Sequence, residues 1–436
     1  MKRLRNFRTG GLAIAGAPVR LTEEARNAYL PAIATIPLRQ HLGPAARCVV
    51  KSGDRVEEGQ AIGRAEGRDS ADVHSPVPGV VRRVSRVRLA GGLECEAVEI
   101  ALSGAFTRLG KPKRLSPWRS MPRHEIVRTI RERGLVRASD GRPLADALSV
   151  FEDEGPCELV VITAVTGEPR NPIEALTLSR RREAVIEGFE MLCRVLSPLS
   201  ALAVFDAEDL GLAASWDGAK GAEGPPIQAY SVPRRYPQHL PGQLAAALAE
   251  AKVTAAATRT FFIQPSLLAE VYEAVAEGKP SLERCVLVAG GAVKTPSVLK
   301  VRIGTSIGAL FEECGGFRIP PQRVVLNGAL DGLACADLDV PVTKTTDMVL
   351  ALTAEETRTR PERACIRCGA CVDACPEGLD PMRLHKLYGS RRLSEMPAAG
   401  LSDCTLCGAC AYACPSRIPL AQSFSIARAR SPEASR

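Results

Sequence analysis

The pattern of hydrophobic and polar positions changes along the chain. Between about residues 36 and 100, short Val- and Ile-rich runs are separated by glycine turns such as Gly53-Asp54 and Gly59-Gln60, which predicts small strands in tight succession. Between about residues 123 and 208, continuous apolar runs alternate with helical patterns. Residues 159–165 and 201–205 have the composition of strands that are buried on both faces of a parallel sheet.

The segments next to these two strands predict helices. Residues 124–134 and 179–196 carry apolar side chains at helical spacing, so helix and strand alternate through this region. The alternation predicts an open α/β sheet with a ligand crevice at the carboxyl ends of its strands. Further helices are predicted at 243–251 and 267–277, before a second β-rich block at 284–352.

One cysteine pattern occurs twice near the C-terminus. Each copy has the spacing C-x-x-C-x-x-C-x-x-x-C-P, and Cys404 follows Cys365 by 39 residues. This is the spacing for two [4Fe–4S] clusters in which the fourth cysteine of each copy ligates the other copy's cluster. The first quartet is Cys365, Cys368, Cys371 and Cys414, and the second quartet is Cys404, Cys407, Cys410 and Cys375.

A zinc ribbon is the alternative interpretation of these cysteines. A structural zinc ion needs only four ligands, usually as two cysteine pairs, whereas each copy here supplies an unbroken run of four. Two-residue spacers let one tight turn supply three thiolates to a cubane, so the run favours clusters. We expect the apolar neighbours Ile366, Val372 and Leu406 to shield the cluster cores.

The amino-acid composition excludes some classes of protein function. Apolar content of 45% and charged content of 24% are typical of globular domains, and 436 residues allow about three domains. The few aromatic residues argue against a base-stacking nucleic-acid platform. The net charge of +8 suits acidic partners such as ferredoxins or phospholipid surfaces, although a solvated surface without a partner explains it equally. Since no apolar stretch reaches about 18 residues, we expect a soluble or peripheral protein.

Several segments, in order along nearly the whole chain, resemble RnfC, the C subunit of Rnf-type electron transport complexes. They are FRTGG, IPLRQHLGPAA, VKSGDRVEEGQAIG, RRYPQ, GTSIGALFEECGG, PVTKTTDMVLAL and the two cysteine motifs. The propanediol-utilisation flavoprotein reductases, which act on cobalamin, have a similar layout.

The resemblance implies a multidomain fold of the α/β plus β class. The implied domains are a barrel-sandwich hybrid at 1–110, a complex-I-flavoprotein-like α/β domain at 118–240, a helical segment with a β-grasp (SLBB) domain at 241–352, a two-cluster ferredoxin-type domain at 355–425, and a tail at 426–436. Biotinyl and lipoyl carriers, which share the barrel-sandwich fold, carry a lysine on the hairpin that corresponds to 66–74. No lysine is present there, so we expect a structural or docking role.

The α/β domain departs from the family pattern at the flavin site. Relatives have a G-G-A-G-F-P-T loop, whose glycines let backbone amides approach a phosphate group closely. The matching stretch here is RASDGRPLADAL, in which only Gly141 and Pro143 remain. The next site segment, N-G-A-E-C-E-P, becomes TAVTGEP and retains Glu168 and Pro169. The resemblance implies FMN and NADH as cofactors at these four residues, whereas the altered loop argues against both.

The leading hypothesis is an electron-transfer subunit of an Rnf-like, membrane-associated oxidoreductase complex that relays single electrons through two [4Fe–4S] clusters. The resemblance implies membrane subunits and a soluble carrier such as ferredoxin as partners, at the cytoplasmic face of the inner cell membrane. No catalytic residue and no nucleic-acid partner are predicted. One alternative is an NADH- or cobalamin-directed flavin reductase with an unorthodox FMN site. The other is a scaffold subunit whose clusters are structural.

The segment after the second motif predicts an amphipathic helix. Leu420, Phe424 and Ala427 follow a helical spacing, and arginines follow them. Such a helix could lie on a membrane surface, but we expect it to cap the ferredoxin-type domain. We expect the final residues, RARSPEASR, to be disordered.

Overall fold

The structure is a computed structural model of the chain. It describes residues 2–3, 9–14, 25–111, 113, 115–153, 155–168, 171–255, 258–358 and 360–430. The strands in chain order are β1 (Lys2–Arg3), β2 (Arg26–Asn27), β3 (Ile33–Pro37), β4 (Arg47–Cys48), β5 (Arg55–Val56), β6 (Ala61–Arg64), β7 (Val73–His74), β8 (Gly79–Arg88), β9 (Glu94–Leu102), β10 (Leu159–Ala164), β11 (Ser200–Asp206), β12 (Ile227–Val232), β13 (Thr260–Ile263), β14 (Glu283–Ala289), β15 (Ser297–Arg302), β16 (Arg323–Leu326), β17 (Leu333–Cys335) and β18 (Met348–Leu352).

The α-helices follow the first nine strands along the chain. In chain order they are α1 (Arg123–Glu132), α2 (Leu144–Asp153), α3 (Ile173–Arg180), α4 (Arg182–Leu196), α5 (Leu210–Trp216), α6 (Pro241–Glu250), α7 (Pro265–Val275), α8 (Ile307–Glu313), α9 (Ala370–Asp373), α10 (Pro381–Gly389), α11 (Ala409–Ala413) and α12 (Leu420–Arg430).

Two small antiparallel sheets form the N-terminal domain. One has the order β3-β9-β8-β5 and the other β4-β6-β7. Their inward-facing side chains, among them Ile36, Ile62 and Ile100, form one hydrophobic core. Two small sheets that share one core are the expected barrel-sandwich arrangement.

The α/β domain has a parallel sheet in the order β1-β12-β11-β10-β13. All residues of β10 are buried, as its continuous apolar run predicted. After β10, the chain forms β11 and β12 on one side of β10 and then β13 on its other side. The direction in which strands are added to the sheet therefore reverses between β10 and β13. A ligand crevice in such a sheet is expected at the carboxyl ends of these two strands.

The helix predicted at 179–196 is divided in two. Helix α3 ends at Arg180 and α4 begins at Arg182, because Arg181 leaves the helical region with φ −122° and ψ 33°. The guanidinium of Arg181 forms an ion pair with Glu273 at 2.6 Å. Sequence periodicity could not indicate this break, since residues 179–183 carry no apolar side chain that would mark a helix face.

The β-grasp domain contains a six-stranded sheet in the order β17-β16-β18-β14-β15-β2. Helix α8 covers one face with Ile307, Leu310 and Phe311, and the Ser306 hydroxyl caps its first turn by accepting from the Ala309 amide. The mixed sheet confirms the predicted second β-rich block.

Helices α9 to α12 form the C-terminal domain around the cysteine motifs. Leu420, Phe424 and Ala427 of α12 are buried in its core, which confirms the prediction that this helix caps the domain. Helix α12 continues to Arg430, so the prediction of a tail from residue 426, disordered from residue 428, is wrong for residues 426–430. Residues 431–436 lie outside the described part of the chain.

One buried lysine joins three domains. Lys344, in the loop before β18, has 1% of its surface exposed. Its ammonium donates to the Asp72 carbonyl of the barrel-sandwich at 2.6 Å and to the Gly134 carbonyl of the α/β domain at 2.7 Å. Gly134 has φ +66°, and a Cβ there would lie 2.2 Å from the Asp72 carbonyl oxygen. Only glycine therefore permits this junction.

An ion pair reinforces the same junction. Arg302 of β15 contacts Glu58 of the barrel-sandwich at 2.9 Å, and both side chains are buried. A second carboxylate oxygen of Glu58 accepts from the backbone amides of Arg108 and Leu109. Because a buried carboxylate is costly unless it is fully hydrogen-bonded, these contacts hold the domains in one arrangement.

We expect Lys344→Met to weaken this junction. The change leaves two buried carbonyl groups without a hydrogen-bond donor, and each such group costs about 1–3 kcal/mol. Part of that cost is offset, because the variant no longer has to bury a charged ammonium group. We predict a net loss of about 2 kcal/mol in the free energy of unfolding, measured by urea denaturation. The exposed Lys51→Met change is the control, and equal stability of both variants would contradict the predicted role.

Candidate metal centre

The eight motif cysteines line two separate cavities. Cys365, Cys368, Cys371 and Cys414 line one cavity, beside Met382 and Ile418. The other cavity is lined by Cys375, Cys404, Cys407 and Cys410, beside Leu406 and Phe424. Each cavity therefore takes three cysteines from one copy of the motif and the fourth from the other copy, which is the division expected for a two-cluster ferredoxin.

The two copies of the motif have the same backbone conformation. Gly369 and Gly408 adopt positive φ immediately before α9 and α11, so each glycine turns the chain into a short helix after the second cysteine. The amides of Arg367 and Leu406 point to the sulfur atoms of Cys365 at 3.3 Å and Cys404 at 3.4 Å. Amide hydrogen bonds to cysteine sulfur raise a cluster's potential because they stabilise negative charge.

The thiols of the second quartet lie within electrostatic reach of one another. Burial first, and then the charges of Cys404, Cys407 and Cys375, raise the pKa of Cys410 to about 12. Burial also raises the pKa of Cys371, and Cys414 contributes in the same direction. Metal must supply the positive charge that keeps such thiols ionised, so loading of the site releases protons.

The ligand set of each cavity can be compared with that of a single metal ion. A structural zinc ion usually takes its four ligands as two cysteine pairs, whereas the four thiolates around a cubane each bind a different iron atom. Each cavity here takes three cysteines from one unbroken run and the fourth from the other copy. That ligand set is the one expected for an iron–sulfur cluster.

The predicted shielding by apolar neighbours is only partly correct. Leu406 is half-buried and packs against the domain core. Ile366 and Val372 are instead 68% and 40% exposed. The sequence could not show that Ile366 and Val372 are more exposed than Leu406, because the spacing of the motif does not indicate which face another domain covers.

Residues outside the motifs hold the second quartet against the rest of the chain. The Tyr236 hydroxyl donates to the Cys407 carbonyl at 2.5 Å, and the Gly11 amide donates to the Ala374 carbonyl at 3.0 Å. At Gly10 a Cβ would lie 2.2 Å from the Cys375 carbonyl oxygen. The sequence analysis assigned no role to these residues, although they belong to the family segments FRTGG and RRYPQ.

Gly141 and Pro143 of the predicted flavin site take part in contacts within the chain. The Gly141 carbonyl accepts from the Leu42 amide of the barrel-sandwich at 2.8 Å. Pro143 is buried, and its carbonyl accepts from the Asp146 and Ala147 amides in the first turn of α2. The loop that would approach a phosphate group is therefore docked on a neighbouring domain.

Glu168 contacts a different neighbouring domain. Its carboxylate accepts from the Leu330 amide at 2.7 Å, in the β-grasp loop after β16. Burial raises the pKa of Glu168 to about 7, against the opposing effect of the Leu330 and Ala329 amides. Pro169 lies outside the described residues. Gly141 and Glu168 are thus held by two different domains.

A carboxylate occupies the anion-binding position at the sheet's crevice. Glu174 of α3 accepts from the Ser266 amide at 2.8 Å and from its hydroxyl at 2.7 Å, in the first turn of α7. This helix follows β13, one of the two strands between which the chain order reverses. The amides of a helix N-terminus are where an FMN phosphate would be expected to bind. These residues do not fit a flavin phosphate, because a side chain of the protein already accepts their hydrogen bonds.

Three family models match separate parts of the chain. They are the RnfC barrel sandwich hybrid domain at residues 16–105, the SLBB domain at 286–332 and the 4Fe-4S dicluster domain at 364–418. With the parallel sheet between the first two, they confirm the predicted fold class. The protein is thus a multidomain iron–sulfur protein with a two-cluster ferredoxin-type domain.

Curated relatives extend over nearly the whole chain. The C subunit of an ion-translocating oxidoreductase complex of Rhodobacter capsulatus is 30% identical over 417 residues, which cover 94% of this chain and 80% of the relative. The C subunit of a proton-translocating ferredoxin:NAD(+) oxidoreductase complex of Clostridium ljungdahlii is 27% identical and covers 82% of this chain and 79% of the relative. The chain belongs to the RnfC family, the C subunits of Rnf complexes.

One solved structure has a similar fold. A chain in the crystal structure of an air-oxidised NAD+-reducing [NiFe]-hydrogenase aligns with a TM-score of 0.51 and 13% identity, over 72% of this chain and 65% of that chain. At this identity the likeness concerns the fold alone. Across the described ranges, none of the helices combines the length and hydropathy that crossing a membrane requires.

We predict that Glu168 makes stability depend on pH. Its folded pKa of about 7 exceeds the ordinary value of 4.5, so between these pH values the folded state keeps a proton that the unfolded state releases. Stability should therefore fall as the pH rises from about 4.5 to 7, by less than about 1.4 kcal/mol per unit. Glu168→Gln should flatten this part of the profile of thermal midpoints against pH. Unchanged curvature, matching that of the exposed control Glu57→Gln, would refute the assignment.

Proposed function

We propose that this chain is the electron-transfer subunit of an Rnf-like oxidoreductase complex, in which two [4Fe–4S] clusters relay single electrons. The observation that carries the proposal is the division of eight cysteines between two cavities, each drawing on both copies of the motif. We assign the first quartet to cluster 1 and the second quartet to cluster 2. When bound, the clusters supply reversible one-electron redox chemistry.

The protein's own part in this relay is to bind, orient and insulate. The backbone turns at Gly369 and Gly408 direct three thiols of each motif to one cavity. Leu406 and Phe424 limit water around the second quartet. Electron transfer of this kind needs no side chain that donates or removes a proton.

The partners follow from the names of the relatives. Those proteins are C subunits of ion-translocating or proton-translocating complexes, one of them a ferredoxin:NAD(+) oxidoreductase. We therefore propose that this chain assembles with membrane subunits at the cytoplasmic face of the cell membrane and exchanges electrons with a soluble carrier such as ferredoxin. A flavin reductase is disfavoured, because Gly141, Glu168 and the helix N-terminus beside Glu174 are already engaged in contacts within the chain.

Serine substitution of one ligand per quartet tests the relay. Cys368→Ser and Cys407→Ser should each remove the electron paramagnetic resonance signal of one cluster and stop electron flux through the assembled complex. Neither change should prevent assembly, since the contacts that hold the second quartet against the rest of the chain use backbone carbonyls and not the cysteine thiols. The control is Cys335→Ser in β17, a free cysteine outside the motifs, which should leave both signals and the flux intact.

Two results would contradict the relay. Loss of assembly, with flux retained in whatever complex forms, would favour the scaffold alternative. Flux that persists in the Cys368→Ser variant despite the loss of one cluster signal would show that electrons bypass cluster 1.

A further inference from the structure

The two quartets differ in how the rest of the chain covers them. On the side of the second quartet, the hydrogen bond from Tyr236 to Cys407 is accompanied by one from the Gln243 amide group to the Glu377 carboxylate at 2.8 Å. The backbone of Gly10 and Gly11 lies directly against the chain next to Cys375. This side therefore faces the α/β domain.

The first quartet lies at the opposite, open side. Every residue from 360 to 369 is exposed, including the ligands Cys365 and Cys368. Ile366 is 68% exposed and Val372 is 40% exposed beside them. A protein that exchanges electrons with the first quartet must approach these ligands closely, so the two apolar side chains lie where its contact surface would be.

The duplication provides an internal comparison of the two sides. Residues 39 positions apart have equivalent places in the two copies, and Arg367 and Leu406 even share their backbone conformation, with φ of 55° and 57°. The fold therefore does not require these side chains to differ. The equivalent pairs, with the first-quartet side named first, are Ile366 and Thr405, Arg367 and Leu406, Val372 and Ala411, and Arg417 and Gly378.

The open side also carries an excess of positive charge. Its exposed cations are Arg358, Arg360, Arg363, Arg367 and Arg417, and its exposed carboxylates are Glu362, Asp373 and Asp380. Among the described residues, none of these five guanidinium groups forms an ion pair. Unpaired cations around a small apolar centre are the arrangement expected for a surface that attracts an acidic protein.

We propose that this surface, formed by Arg363, Ile366, Arg367, Val372 and Arg417 and here named the cluster-1 face, is the docking site of an acidic protein electron carrier. The inference rests on the proposed function and adds which cluster exchanges electrons outside the chain. One electron leaves the reduced carrier and enters at the first quartet, or passes in the reverse direction, and no bond or proton changes. The second quartet is then the inner end of the relay.

Charge reversal on the cluster-1 face tests the proposal. The double variant Arg367→Glu/Arg417→Glu is compared with the wild type and with Arg82→Glu, an exposed arginine on β8 of the barrel-sandwich. The probe is a reduced acidic [4Fe–4S] ferredoxin, mixed by stopped flow with the anaerobically loaded full chain. We expect the double variant to lower the second-order rate about 10-fold or more at low salt, and Arg82→Glu to leave it unchanged.

A binding measurement separates docking from a change in cluster potential. Oxidised ferredoxin, titrated calorimetrically into the oxidised chain, should bind the wild type and lose affinity for the double variant without any electron transfer. A second variant, Ile366→Ser, should weaken binding with little effect on its salt dependence, because it removes apolar area and no charge. Reduction by dithionite should remain complete in all variants.

The remaining outcomes are distinguishable. The cluster-1 face is not the docking site if all variants bind and react with ferredoxin like the wild type. The same holds if the wild type, with intact clusters, does not react with ferredoxin. In both cases the proposed relay through the two clusters is not contradicted. If the double variant instead loses only its binding to vesicles of anionic phospholipid, the face contacts a membrane and the proposal is wrong. Failure of the wild type to incorporate clusters would overturn the proposed function as well.

Discussion

A buried ammonium group fixes the arrangement on which the rest of the molecule depends. Lys344 of the β-grasp domain donates to one carbonyl of the barrel-sandwich and to one of the α/β domain. Burial lowers its pKa to about 8, with the carboxylate of Asp72 opposing that shift. An ammonium group without water needs its acceptors at fixed positions, so three domains must meet in one geometry. That geometry brings the β-grasp loop onto Glu168 and the barrel-sandwich onto Gly141, two residues at which the family's flavin site is expected.

The ferredoxin-type domain contacts the rest of the chain beside its second quartet. Tyr236 and the backbone of Gly10 contact the second quartet, whereas the first quartet remains exposed with arginines around it. The two copies of the duplicated motif thus have different surroundings: the second quartet is covered and the first is exposed. Such an inequality is what a relay needs, because one end must stay fixed in the protein while the other meets a partner.

The sequence predicted those features that depend on local spacing. The cysteine runs, the buried strand at 159–165 and the capping role of Phe424 each follow from a short periodic pattern, and the structure agrees with them. The break at Arg181, the buried contacts of Lys344 and the position of Glu174 depend on residues far apart in the chain, so no local pattern could indicate them. The exposure of Ile366 was mispredicted for the same reason, because burial is decided by which domain lies opposite.

We propose that the two clusters are the redox centres of this chain, without a flavin. The decisive experiment is anaerobic purification followed by iron, acid-labile sulfide and flavin analysis of the same sample. We expect about eight irons and about eight sulfides per chain with no stoichiometric flavin, as two [4Fe–4S] clusters require. Stoichiometric FMN would contradict the conclusion drawn from Gly141, Glu168 and Glu174, and fewer than about four irons would contradict the two-cluster assignment itself.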